Sequence, residues 1–172
     1  MRRPRYETLV DVIGIDPGIN GAIAKFNSTK ATLNIWDMPI LEVNKKKTIS
    51  PYLVANILKE AAAPVFIEKV AAMPGQGVTS MFNFGKGFGV LLGAAAGLGL
   101  QTTQVTPQQW MKALQCQRGK DANRQRACEL FPDYAGMFAR RKDDGRADAA
   151  LLAYYAIFFA KSVDYSRTHT PA

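Results

Sequence analysis

The sequence predicts an α/β layered domain, and the order of its elements is the main reason. Three strand-like segments come first, followed by a helix, a strand, a second helix, another strand and then only helices. That order is typical of a sheet covered by helices. The chain has 172 residues, of which 48% are hydrophobic, so one domain with one sizeable core is expected. We expect residues 1–8 and 165–172 to be flexible tails.

The first three strands are predicted near the N-terminus. Residues 9–15 (LVDVIGI) are rich in β-branched side chains and run into a turn at residues 16–18. Residues 22–26 and 32–38 follow as the second and third strands. Glycines in the first connection suit a hairpin loop, so the first two strands should pair antiparallel.

The middle of the chain is predicted to cross over and return to the sheet. The lysines at 45–47 are expected to form a polar loop. Ser50 and Pro51 then begin a helix that ends near Ala62. Residues 65–68 form a strand that we expect to lie parallel to the first one.

The rest of the chain is predicted to be mainly helical, with residues 134–142 basic and partly loop. The expected elements are a long helix over 79–97, a strand over 101–105, helices that begin at Thr106-Pro107 and at Asp121, and a last helix from Asp144 to about Lys161.

The charge and hydropathy of the chain limit the partners and the location that we expect. The net charge of +8 and pI of about 9.6 favour a polyanionic partner. The most apolar stretch, 87–100, is shorter than the roughly 20 residues that span a bilayer, and residues 1–5 lack a secretory core. No membrane partner is therefore expected. The expected location is the cytoplasm, or an organelle matrix or host cytoplasm if the source is organellar or viral.

Cysteine and histidine contribute little to the predicted chemistry. Cys116 and Cys128 form no C-x-x-C pair, and the single histidine, His169, lies near the C-terminus. Reduced thiols are expected, and neither a structural zinc site nor histidine-based catalysis is favoured.

The carboxylates carry the chemical prediction. Asp16 and Glu68 each end an apolar strand, and Asp148 lies among alanines one turn into the last helix, which starts at Asp143 or Asp144. Taken singly, these acids have ordinary explanations as turn residues or helix caps. Buried together they would repel one another, and a hard divalent cation with oxygen ligands would relieve that repulsion. The set therefore predicts a metal centre for phosphodiester hydrolysis.

Three segments, in this order along the chain, resemble the acidic motifs of the RuvC-type Holliday-junction resolvases: residues 13–18 (IGIDPG), 67–70 (IEKV) and 144–149 (DGRADA). Two glycine-rich segments, 74–77 (PGQG) and 84–89 (FGKGFG), resemble phage and organellar members in particular. The similarity spans roughly residues 12–159.

This resemblance implies a ribonuclease-H-like fold, with a five-stranded mixed sheet flanked by helices. It implies a homodimer that cuts a four-way DNA junction by paired, symmetric nicks. Each active site would hold two Mg²⁺ ions, replaceable by Mn²⁺, on Asp16, Glu68, Asp148 and Asp144. Lys120 would stabilise the developing negative charge.

Two departures from the family pattern matter. Asp144 and Asp148 are four apart, where many bacterial members space these acids by three, so Asp143 stays an alternative fourth ligand. Residues 71–73 follow the second acid where many members carry an aromatic residue, so that role is vacant or passes to Phe82 or Phe84.

The glycine-rich stretch 74–89 lacks the Gly-Lys-Ser/Thr ending of a Walker phosphate loop. It is interpreted as a flexible segment that faces DNA. Together with later basic residues it supplies the predicted nucleic-acid contacts, which are Gln76, Ser80, Asn83, Lys86, Lys112, Arg118, Lys120, Arg124, Arg140 and Arg141.

Other functions stay open at this point. A related nuclease acting on flap or branched DNA, RNA or RNA–DNA hybrids would use the same acids. A sugar-kinase-like ATPase also begins with a strand and Asp-x-Gly but needs a longer, two-lobed chain. A junction-binding protein without activity is disfavoured by the complete acidic set.

Overall fold

The computed structural model describes residues 9–71, 75, 77–119 and 121–160. The strands are β1 (Asp11–Asp16), β2 (Ala22–Asn27), β3 (Thr32–Asp37), β4 (Ile40–Val43), β5 (Lys46–Ile49), β6 (Val65–Glu68) and β7 (Thr102–Val105). The helices are α1 (Pro51–Ala61), α2 (Val78–Gly97), α3 (Pro107–Ala113), α4 (Ala122–Leu130) and α5 (Asp144–Phe158), with 3₁₀ turns at Pro132–Phe138 and Arg141–Asp143.

Five strands form one mixed sheet in the order β3-β2-β1-β6-β7. The first three pair antiparallel, whereas β1, β6 and β7 run parallel. This confirms the predicted five-stranded mixed sheet, the hairpin between the first two strands and the crossover through α1.

The sheet separates two hydrophobic layers, because successive side chains of β1 point to opposite faces. Val12 packs into the layer beneath α5, whereas Ile13 and Ile15 pack into the layer beneath α1 and α2. These strand residues are fully buried. Helices on both faces thus hold β1 at the centre of the molecule. No helix among the described residues is long and apolar enough to cross a membrane.

The segment over residues 40–49 differs from its prediction. The expected polar loop at 45–47 is instead part of a hairpin, in which β4 pairs with β5 outside the main sheet. The two connecting residues, Asn44 and Lys45, have φ of 51° and 60°, the left-handed conformation that a tight two-residue hairpin turn needs at both positions.

The long helix predicted over 79–97 is confirmed by α2. The flexible segment predicted over 74–89 is wrong for residues 78–89, which form the first half of that helix. Within that half, Gly87 is buried, and a Cβ there would lie 3.0 Å from Cδ1 of Ile49 in β5. A missing side chain at this position lets the hairpin and the helix pack closely.

Two further glycines bring α5 against the sheet. A Cβ on Gly14 would lie 2.1 Å from the carbonyl oxygen of Ala149, and one on Gly145 would lie 2.4 Å from the carbonyl oxygen of Asn20. Real Cβ atoms do not approach that closely, so only glycine allows these contacts. The start of α5 therefore lies directly on β1 and on the turn that follows it.

Candidate active site

Three acids are brought together by this packing. Asp16 and Glu68 are the last residues of β1 and β6. Ile15 pairs with Ile67 in the parallel register, so the two acids occupy adjacent strand ends. Asp148 lies in α5, one residue before the Ala149 carbonyl that covers β1.

The site disfavours three negative charges. Burial raises the pKa of Asp16 and also that of Glu68, and the charge of Asp16 raises the Glu68 pKa further. Burial, followed by the charges of Asp16, Glu68 and Asp144, raises the pKa of Asp148 to about 7. Neighbouring carboxylates thus act on Glu68 and Asp148, which places these two groups in one electrostatic environment with Asp16.

Each of the three acids, all of which are half-buried, has a hydrogen-bond donor. The indole Nε1 of Trp110 donates to Oε2 of Glu68 over 3.1 Å, and Nδ2 of Asn123 donates to Oδ1 of Asp148 over 2.8 Å. The backbone N–H of Gly18 donates to Oδ1 of Asp16 over 3.3 Å. These bonds leave the second carboxylate oxygen of each acid available to a ligand.

Asp143 and Asp144 have different partners. Asp143 is 1% exposed and accepts hydrogen bonds from Arg140, including 2.9 Å to the guanidinium Nη2. The hydrogen bonds from Arg140 lower the pKa of Asp143. Asp144 lines the same cavity as Asp148, and its charge contributes, after those of Asp16 and Glu68, to the raised pKa of Asp148, so Asp144 is the candidate fourth acid of the site.

The Asp144 carboxylate is ion-paired with Arg124, with 2.7 Å between Oδ1 and Nε. Arg124 also pairs with Asp121 and donates to the carbonyl oxygen of Ala139 over 3.2 Å. In the described part of the chain, no three acids, cysteines or histidines have the arrangement of an assembled metal centre.

The donor set nevertheless fits a hard divalent cation. Asp16, Glu68, Asp144 and Asp148 offer only oxygen atoms, which Mg²⁺ and Mn²⁺ prefer. The raised pKa values show carboxylates that lack a compensating positive charge. A cation would supply that charge.

Comparisons with known proteins agree with this architecture. Thermus thermophilus RuvC covers 85% of this chain, and 95% of its own chain is matched, with a TM-score of 0.57 and 18% identity. RuvC from the same organism in complex with a Holliday junction substrate gives a TM-score of 0.60 at 18% identity, with 86% of this chain and 94% of that chain covered. The yeast mitochondrial Holliday junction resolvase Ydc2 gives 0.51 at 16% identity, with 87% and 78% covered.

The chain has the ribonuclease-H-like fold of the RuvC-type resolvases. The fold predicted from the three acidic motifs is thereby confirmed. In sequence, the chain is similar to the chloroplastic Holliday junction resolvase MOC1 of Chlamydomonas reinhardtii, with 27% identity over 150 residues. That match covers 72% of this chain but only 17% of the algal protein. No protein-family profile matches the chain.

The predicted DNA contacts lie at several places on this RuvC-like fold. Ser80, Asn83 and Lys86 lie on α2 and line a cavity of about 520 Å³ beside the hairpin. Arg118 lines a cavity of about 430 Å³ that contains Asp144 and Asp148.

The remaining predicted contacts are more varied. Arg141 lines a third cavity, of about 560 Å³, which also reaches Asp144. Lys112 is exposed on α3. Arg124 and Arg140 are engaged in the ion pairs described above, so their charges already have partners. Gln76 and Lys120 lie outside the described residues.

Trp110 and Asn123 were missed by sequence reasoning. Trp110 is 1% exposed, and a buried indole N–H normally requires an acceptor. That requirement was a usable signal that some acceptor lies beside Trp110, although it does not identify Glu68, which is 42 residues away. Asn123 gave no such signal, because asparagine is usually exposed and satisfied by water.

Proposed function

We propose that this protein is a divalent-metal-dependent DNA endonuclease that resolves four-way junctions by paired, symmetric nicks. One observation carries the proposal. Asp16, Glu68 and Asp148, on β1, β6 and α5 of a RuvC-like fold, form a half-buried cluster of carboxyl groups, and burial raises the pKa of each.

Two further findings support the choice of substrate. The algal relative is named a Holliday junction resolvase, and one of the similar RuvC structures contains a Holliday junction substrate. The net charge of +8 suits a substrate with dense phosphate charge. Because the chain spans only 17% of the algal relative, these names support the substrate class and leave its details to experiment.

Asp16, Glu68, Asp148 and Asp144 would hold two Mg²⁺ or Mn²⁺ ions, which would activate water for attack on phosphorus and would stabilise the departing oxygen. Trp110 fixes Oε2 of Glu68, and Asn123 fixes Oδ1 of Asp148, so both carboxylates are oriented before the substrate arrives. Asp148, with a pKa of about 7, must release its proton to act as an anionic ligand.

The proposed enzyme works as a homodimer that pairs through α2. Gly85, Gly89, Gly93 and Gly97 are spaced by four, so they share one helix face, and the space where a Cβ would stand is open at each. Phe82, at the start of the same helix, is 71% exposed. Small residues let two helices approach closely, and a second copy of α2 would cover this face.

The dimer is tested by analytical ultracentrifugation. Gly89→Leu places a large side chain on the shared face and should yield monomers, whereas Glu60→Leu, on an exposed position of α1, should remain dimeric. A wild-type protein that sediments as a monomer at micromolar concentration would contradict this part of the proposal.

The activity is tested with a labelled four-way junction, beside linear duplex, a fork and an RNA–DNA hybrid. We expect paired nicks in the junction with Mg²⁺, none with EDTA, and none from Asp16→Asn, which should still bind the junction. Cleavage of the hybrid or the fork in place of the junction would assign the metal site to another nuclease class. Cleavage by Asp16→Asn at the wild-type rate would remove Asp16 from the site.

A further inference from the structure

The β4–β5 hairpin carries a concentration of positive charge. Residues 45–47 are three consecutive exposed lysines. Lys45 occupies the tight turn, whereas Lys46 and Lys47 belong to β5. Glu42 lies opposite Lys47 in the strand register, but among ion pairs between described residues none includes a hairpin lysine.

The hairpin faces a polar side of α2. Ser80, Asn83 and Lys86 follow one another at intervals of three, so they lie along one side of the helix. Together with Lys46 and Lys47 they line the cavity of about 520 Å³ between hairpin and helix, and none of the described residues that line it is acidic. Lys86, like the hairpin lysines, is in none of the recorded ion pairs between described residues.

The two walls are held at a fixed separation. Ile49 of β5 is 2% exposed and packs on the buried Gly87 of α2. The backbone N–H of Ser50 also donates to the carbonyl oxygen of Pro39 over 2.8 Å, which closes the base of the hairpin. The positive charges of the cleft therefore face one another on a rigid support.

The cleft continues toward the acidic cluster. Ile19, three residues after Asp16, lines both this cavity and the one that reaches Asp144. Phe84 lines both this cavity and one that contains Glu68. A ligand that fills the cleft and also reaches the acids must be extended, and it must carry repeated negative charges to match the lysines. A polyanionic polymer has these properties, whereas a small anion does not.

We propose that the cleft between the β4–β5 hairpin and α2 binds the phosphate backbone of a DNA duplex arm next to the cleavage site. The lysines of both walls contact phosphates, and Ser80 and Asn83 donate hydrogen bonds to the same backbone. This rests on the proposed function, since the arm is taken to belong to the substrate that the acids cut.

The test compares two variants that lose equal charge. Lys47→Ala with Lys86→Ala removes one lysine from each wall, whereas Lys30→Ala with Lys59→Ala removes two exposed lysines elsewhere. Binding to a four-way junction and to a linear duplex is measured in Mg²⁺ across salt concentrations, with Asp16→Asn added to each protein to prevent cutting. Thermal unfolding checks that each variant is folded.

The expected result follows from counterion release. Each lost phosphate contact reduces the slope of log K against log salt by about 0.9, so the cleft variant should lose about 1.8 from the slope. If the contacts contribute nothing at about 1 M salt, affinity at about 0.15 M should fall roughly 30-fold. The control variant should keep the wild-type slope within about 0.5.

The outcomes separate the two proposals. If the cleft variant and the control show equal slopes and affinities, the cleft is not a DNA site, whether or not the wild-type enzyme cuts junctions. If the cleft variant loses affinity for duplex and junction alike while the wild-type enzyme leaves junctions uncut, the cleft is supported and the proposed function fails. Absence of any DNA binding by the Asp16→Asn protein would overturn both.

Discussion

Replacing Asp148 with asparagine should stabilise the metal-free protein while abolishing its cleavage activity. Raising the pKa of Asp148 from 3.8 to about 7 corresponds to about 4 kcal/mol at about 1.4 kcal/mol for each pKa unit. The side chain is only half-buried, and solvent screening reduces that figure, so we expect a gain of about 2 kcal/mol at pH 8. An asparagine keeps an oxygen that can accept from Asn123.

The sign of this effect depends on pH. Because the folded-state pKa lies above 3.8, the folded protein holds the Asp148 proton more tightly than the unfolded chain does. The destabilisation is therefore absent below about pH 4, grows as the pH rises, and is complete above about pH 7. The stabilities of wild type and Asp148→Asn should converge near pH 4 and differ most at pH 8.

Thermal unfolding followed by circular dichroism measures this difference. With EDTA at pH 8, a gain of about 2 kcal/mol should raise the Tm of Asp148→Asn by about 4–8 °C. Asp133→Asn, an exposed control, should change stability by less than about 0.5 kcal/mol. Added Mg²⁺ should raise the Tm of the wild type more than that of Asp148→Asn. A variant that is no more stable than wild type at pH 8 would refute the reasoning.

Two further changes test the support of the site. Trp110→Phe removes the hydrogen-bond donor to Glu68. We expect kcat to fall about tenfold, the smallest effect usual for residues that orient a metal ligand, and KM for junction DNA to stay unchanged. An unaltered kcat would show that this bond does not position Glu68. Gly14→Ala forces a Cβ to 2.1 Å from the Ala149 carbonyl oxygen, so urea denaturation should show a loss of at least about 3 kcal/mol in the free energy of unfolding. Gly136→Ala, with open space around it, should change that free energy by less than about 1 kcal/mol. Equal losses in the two variants would contradict the close approach of α5 to β1.

The sheet and its acids could be predicted from the sequence because the signals are local. The apolar runs that end at Asp16 and Glu68 have strand length, and their β-branched residues favour strands. Ser50-Pro51 gave the start of α1, where Ser50 Oγ accepts from the backbone N–H of Leu53. Parallel pairing of β1 with β6 then follows from the crossover rule.

The hairpin could not be predicted because its pattern is not that of a buried strand. All four residues of β4 are exposed, so there is no alternation between a buried and an exposed face. Its turn contains Asn44-Lys45 in place of the Asn-Gly that is the usual sequence signal. Tertiary contacts that the local sequence does not encode order the segment, among them the packing of Ile49 on Gly87 and the hydrogen bond from Ser50 to Pro39.

The state of individual arginines was also beyond sequence reasoning. Arg124 and Arg140 belong to a basic region and were predicted to contact DNA, yet each is paired with an acid. Pairing of Arg124 with Asp144 joins residues 20 positions apart, on α4 and α5, and no local pattern encodes it. Net charge alone therefore does not show which arginines are free to meet a polyanion and which are paired within the protein.

The paired ends of the hairpin make it a part of the fold that can be exchanged. Ile40 and Ile49 are paired opposite each other in the β4–β5 ladder, so a longer or shorter segment between them leaves the flanking chain in place. Added loop length carries only a small entropic cost. Neither strand belongs to the sheet that holds the acids. Insertions, deletions or grafted sequences at Asn44-Lys45 would therefore alter the proposed DNA-binding cleft while leaving the sheet that carries Asp16 and Glu68 unchanged.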